Sequence, residues 1–224
     1  MALIPVLQAV HADITRRALA TAVSPQALEA VIAANVRVDD LWNQLGHDEL
    51  HFDNNAFGRS HAHMDAQRAR LVAALQRGEA PGAWQAFGRL THTAQDFYAH
   101  SNYVDLWLSC QPLGMVPAPA EIDPLDDALI ENLALRSGKS YLPFGALSFV
   151  PILGPVILPL MPRDSHARMN LDSAERGPMF QYAFHAAIKR TRHEYEIVTR
   201  NLAEPLRTRF LGFPEARPVS DAVN

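Results

Sequence analysis

The stretch GRLTHTAQDFYAHSNYVDLWL, residues 88–108, decides how the rest of the chain is read. Within it His92, Asp96 and His100 stand at i, i+4 and i+8. On an α-helix each four-residue step turns only about 40° from the last, so the three side chains share one face. The same steps climb about 12 Å in all, at about 1.5 Å per residue. A cation with ligand bonds of about 2.0–2.2 Å cannot touch both ends of that stripe, so the spacing asks for at least two ions. Asp96 is placed to share an ion with His92, and its two oxygens can bridge a pair. His100 serves a separate position further along. The bland alternative is a polar face with two ordinary histidines and a solvated aspartate. Gln95, Tyr98, Ser101 and Asn102, packed around the stripe, weigh against it.

Outward from this stretch the periodicity is helical. Apolar positions predict a helix over about 6–21, and Ser24 before Pro25 supplies a capping oxygen and a preset first turn for a helix running to about Leu45, with Gly46 at its end. Further helices are expected over about 60–77, 83–100, 124–136 and 178–203. HDELHFDNNAFG (47–58) reads as a loop, because its Asp and Asn side chains compete for backbone hydrogen bonds. There is no strand-like alternation and no internal repeat. The expected fold is all-α: one helical bundle of six or seven helices over 1–210, then a loosely held tail, 211–224. YLPFGALSFVPILGPVILPLMP (141–162) is almost wholly apolar, yet its five prolines would each break a backbone hydrogen bond that lipid cannot replace. It reads as an apolar insertion packed on the bundle, or as a lid or membrane contact, but not as a transmembrane helix.

The composition narrows the function. At 224 residues, 48% of them hydrophobic, the chain can bury one sizeable core. A net charge of -4 makes long nucleic acid a poor partner. The single Cys110 asks for no oxidising compartment, and the first residues lack the pattern of a secretory signal, so a cytoplasmic location is expected, or export without a standard signal. No segment points to a protein partner. Ten histidines are many for this length, and neutral imidazole is the commonest metal ligand.

Two further groups could complete a metal site. In HFDNNAFGRSHAHM (51–64), Asp53 can bind metal or hold an attacking water, and only one of His61 and His63 can face the cluster, His61 being preferred; His51 reads as a supporting or surface residue. In DSHARMNLDS (164–173), His166 is a credible ligand, Asn170 a weak oxygen or hydrogen bond, and Asp172 a substitute off that face. His11 on its own reads as a surface or core histidine. His185 and His193 share a solvated face. Arg59, Arg89 and Arg163 lie close to ligand segments and could hold a phosphate, although surface charge is their commoner role.

Residues 88–108, with ITRRAL (14–19), HFDNN (51–55) and HARMNLDS (166–173), resemble the HET-C family, named for a fungal heterokaryon-incompatibility protein. That family is in turn similar to the all-helical zinc-dependent phospholipases C and single-strand nucleases, which hold three zinc ions and hydrolyse phosphate esters. The resemblance implies one ion held by His92, Asp96, Asp53 and one of His61 and His63. It implies a second on His100, His166 and a carboxylate, and a third on His11 and Asp96. Two or three divalent ions are therefore expected, zinc first, with manganese, calcium or magnesium admitted by an oxygen-rich site.

The expected activity is hydrolysis of phospholipids or small phosphomonoesters by metal-activated water, with Asp53 orienting that water or taking its proton. A nuclease or nucleotidase, with Phe97, Tyr98 and Tyr103 as base-stacking candidates, is one alternative. A non-enzymatic membrane-acting toxin or cell-death protein is the other.

Overall fold

The computed structural model describes residues 3–40, 46–141, 150 and 153–213. Among them the chain is all-helical, with only two isolated bridges, Ser101 to Ser137 and Lys139 to Ser165, between loops. The longer helices are α1 (Leu3–Leu19), α2 (Pro25–Val36), α4 (Phe57–Gln76), α5 (Ala80–His100) and α10 (Met179–Asn201). Shorter ones are α3 (Asp48–His51), α6 (Tyr103–Ser109), α7 (Asp127–Ile130), α8 (Gly154–Ile157), α9 (His166–Met169) and α11 (Glu204–Leu211).

Helix α5 is the axis of the bundle. Helices α2, α4 and α10 all pack on it, and every residue from Leu90 to His100 is buried. Leu71, Leu75, Phe87, Leu90, Tyr98 and Phe210 are fully removed from solvent. Burial of each such side chain contributes about 1.5–3 kcal/mol before entropy is set against it. Helices α2 and α5 approach closely at Gly88. A Cβ there would stand 2.4 Å from the Val31 carbonyl oxygen and 2.7 Å from Ala34 Cβ.

Several expected boundaries shift. Ser24 caps α2 as its sequence predicts, its hydroxyl accepting from the Ala27 N–H. The α-helix stops at Val36, however, and tightens into a 3-10 turn, Arg37–Asp39, with Asp40 extended. Residues 41–45, assigned by sequence to that helix, lie outside the described residues. The helix expected over 124–136 shrinks to α7, capped by the Asp126 carboxylate. The loop at 47–58 contains α3. Helix α11 reaches past residue 210, and Trp84 Nε1 donates to the Phe210 carbonyl at 2.7 Å. The tail from 214 lies outside the described residues, as do 142–149 and 151–152, most of the apolar insertion. In its described part Val156 and Leu160 are exposed. No helix among the described residues is long and apolar enough to cross a membrane.

Candidate metal centre

The stripe on α5 faces α1 and the turn after α2 at one end, and the loops at 51–55 and 166–172 at the other. Asp96, 1% exposed at its side chain, is the hub. Its Oδ1 lies 3.2 Å from His11 Nε2, and its Oδ2 lies 2.8 Å from His51 Nδ1 and 3.1 Å from His92 Nε2. Asp39 closes this inner group from the 3-10 turn, 3.5 Å from His92 Nε2 and 3.9 Å from His11 Nε2. One ring further along, His100 Nε2 lies 3.1 and 3.2 Å from the two oxygens of Asp172. At the mouth, His166 Nδ1 donates to Asp53 Oδ1 at 2.7 Å.

Four overlapping trios each bring their ligand atoms within 4.8 Å of one another: His11, Asp39 and His92; His51, His92 and Asp96; Asp96, His100 and Asp172; Asp53, His100 and His166. Bonds of about 2.0–2.2 Å to a tetrahedral ion place its ligand atoms about 3.3–3.6 Å apart. Around Asp96 and Asp39 the separations run from 2.8 to 3.9 Å and bracket such edges. The donor set therefore fits divalent cations.

Hydrogen bonds further out aim these rings. Gln95 Nε2 donates to Thr15 and Thr191, so its Oε1 accepts, and it accepts from His11 Nδ1 at 2.7 Å. That leaves His11 Nε2 as the atom turned to Asp96. His100 Nδ1 donates to the His51 carbonyl at 2.8 Å, which likewise turns Nε2 to Asp172. An outer hydrogen bond that fixes the ring tautomer is the usual support of a metal-ligating histidine. Among the described residues, Asp96 Oδ1, His92 Nδ1 and His51 Nε2 are buried with no hydrogen-bond partner. Buried polar atoms are normally satisfied.

Without an ion, protons must hold the carboxylates. Burial works against a charged His11, but the Asp96 and Asp39 carboxylates outweigh it and push the ring up to about 10. His51 rises too, for the same two reasons. In His92 burial prevails over Asp96 and the ring is lowered. His100 is held well above its usual range by Asp172 and Asp96 despite burial. Asp96 is pulled well down, burial being overcome by His92, His100 and His11.

The structure thus brings together His11, Asp53, His92, Asp96, His100 and His166 from the sequence reading. It does not bring His61. That ring is exposed and packs edge-on against Phe52 at 5.4 Å, while His63 sits beside Gln67 at 3.5 Å. His51, expected to be supporting or at the surface, points inward because α3 ends in a left-handed Phe52 (φ 55°). Asn170 turns away from the stripe, its Oδ1 accepting from the Asp172 N–H, and Asp172 enters instead. Helical spacing fails there because α9 ends at Met169. Phe97, Tyr98 and Tyr103 are buried against one another and cannot stack on a base. Arg59 pairs with Asp48 and Glu49. Asp39 was missed altogether.

The comparisons with known proteins redirect the family. Residues 6–127 match the VWA7 N-terminal domain family. Human von Willebrand factor A domain-containing protein 7 is 35% identical over 80 residues, which cover 36% of this chain and 9% of that protein. No solved structure matches. The matched region contains 88–108, the stretch on which the HET-C resemblance rested, so that resemblance and its phospholipase C likeness are overturned. Asp39, His51 and the α5 stripe fall inside the matched region, and His166 and Asp172 fall beyond it. The chain belongs to the VWA7 N-terminal domain family.

Proposed function

We propose that this chain binds two or three divalent cations along α5 and uses them to hydrolyse phosphate esters, those of phospholipids or small phosphomonoesters before others. The observation that carries this reading is Asp96, a buried carboxylate whose two oxygens face different imidazoles at near-ligand separations. Zinc suits the imidazole-rich inner group, and manganese, magnesium or calcium suit the carboxylates of the outer one. Bound divalent ions would supply an acidified water and neutralise phosphoryl charge. The chain's own part is to hold the ligands apart at fixed distances, to exclude water at the inner end and to present Asp53 at the mouth. There Asp53, with His166 donating to it, orients the attacking water or takes its proton. Exposed Leu153, Val156 and Leu160, a few residues ahead of His166, offer an acyl chain an apolar surface. A cytoplasmic setting goes with this reading, since the lone Cys110 forms no intrachain disulfide.

The test is an assay of the zinc- or manganese-loaded protein against p-nitrophenyl phosphate and phosphatidylcholine vesicles. Hydrolysis abolished by EDTA and lowered about 100-fold by Asp96→Asn is expected. Turnover indifferent to both would refute the reading. A second reading, a non-catalytic domain held together by its ions, draws on the near-complete burial of His92 and Asp96. It predicts a chelator-sensitive melting temperature with no hydrolysis of either substrate.

A further inference from the structure

The two ends of the α5 stripe are built differently. Most inner ligands come from regular elements, His11 from α1, His92 and Asp96 from α5 and Asp39 from the turn that continues α2, and His51 joins them from the single turn of α3. Their side chains are at most 7% exposed, and the Gln95–Asn35–Thr15–Thr191 ladder braces them from behind. Outer ligands other than His100 come from loops. Asp53 lies between Phe52 (φ 55°) and Asn54 (φ 52°), both left-handed. Backbone held in that region is kept there by its surroundings. His166 and Asp172 lie in and just after the single turn of α9.

What holds the outer loops together is a clasp. Asn54 N–H donates to the Gly138 carbonyl, the Ser137 N–H donates to Asn55 Oδ1, and the Ser140 N–H donates to Asn54 Oδ1. Gly138 N–H donates to the His100 carbonyl, and His166 N–H donates to the Lys139 carbonyl. Gly138 lies so close to His166 that a Cβ would stand 2.5 Å from its Cα. At the rim exposure rises modestly, to 20% for the His166 side chain and 13% for that of Asp53.

Resting on the cation reading above, we propose that the two ends hold ions of different permanence. The inner ion, around Asp96, His11, His92, His51 and Asp39, is resident and leaves only when the bundle opens. The outer ion, around Asp53, His100 and His166, exchanges with solvent and is admitted or released through the Asn54–Gly138–His166 clasp. Two physical differences produce this. An ion sealed by packed helices cannot be reached by water or chelator without local unfolding, whose cost rises with burial. Ligands carried by loops open at much lower cost. Solution levels of the exchanging metal would therefore set the fraction of complete sites, and activity with it, without unfolding the chain.

The experiment loads the full chain with Zn²⁺, adds a large excess of a chromophoric chelator under native conditions, follows release, and then adds denaturant. The expected record has a fast native phase and a remainder that appears only on unfolding. Gly138→Ala, which pushes directly on the His166 backbone, should weaken the fast-exchanging ion on the order of tenfold and leave the slow one in place. His166→Ala, a change at the rim, should remove the fast phase alone. Release of all zinc in a single native phase, or equal loss of both phases in His166→Ala, would overturn the inference while leaving the cation reading intact. A chain that takes up no zinc overturns both.

Discussion

Two buried polar clusters flank α5, and they solve the burial of carboxylates in opposite ways. In one, Glu194 on α10 is fully buried, and its two oxygens accept from Arg190 Nε at 2.8 Å and Arg68 Nη2 at 2.6 Å. Guanidinium groups keep their charge at any ordinary pH, so this carboxylate is satisfied permanently from within the chain. In the other, the Asp96 and Asp39 carboxylates face imidazoles, which can give up their protons and offer lone pairs instead. Both clusters are deeply placed. The first is closed chemistry and belongs to the fold. In the cation reading proposed above, a divalent ion replaces the protons of the second.

The largest expected effect of breaking that contrast is at Asp96. Asp96→Ala should remove the inner ion, because it takes away the carboxylate common to the His51–His92 and His100–Asp172 trios. Elemental analysis of the purified variant checks this. Glu194→Gln should leave metal content unchanged yet cost about 3 kcal/mol or more in chemical denaturation, since it strands buried guanidinium charge. Loss of metal in that variant would mean that the clusters are not independent.

The clusters should also answer differently to pH. The folded value of Glu194 is depressed, burial being outweighed by Arg190 and Arg68. Its contribution is thus present above about 4.5 and lost as pH falls through the lower folded value. His11 runs the other way. With its folded value raised to about 10, metal-free protein carries the full contribution below about 6.5 and loses it as pH rises toward 10. A bound ion requires a neutral ring, so loaded protein should not show that alkaline loss. Uptake of zinc near neutral pH should release protons, visible in calorimetry as an enthalpy that varies with the buffer. The smallest effect is expected from Gly88→Ala. It forces α2 from α5 at a cost of about 1–3 kcal/mol and weakens metal binding only through the displaced Asp39 turn.

The α5 stripe could be read from sequence because His92, Asp96 and His100 obey one helical period over an uninterrupted helix. The all-helical fold followed from the same periodicity. The remaining members were hidden where the period stops. Asp39 lies in a tightened turn that the pattern continued as α-helix. His51 is redirected by the left-handed residue after it, and Asp172 comes into reach only because α9 has ended. Helical facing asked for one of His61 and His63 without deciding which, and nothing in that spacing reveals that Phe52 would claim the ring of His61. The stretch 88–108 and its short companion motifs pointed to the wrong family for a related reason: a few ligand-type residues at common spacings carry less information than a match over 6–127.

The most direct measurement counts metal ions per chain after reconstitution with zinc and removal of the excess. More than one ion per chain in the wild-type protein and in Glu194→Gln, with the inner ion gone from Asp96→Ala, is the predicted result. A wild-type chain that emerges with no bound ion would contradict the central claim.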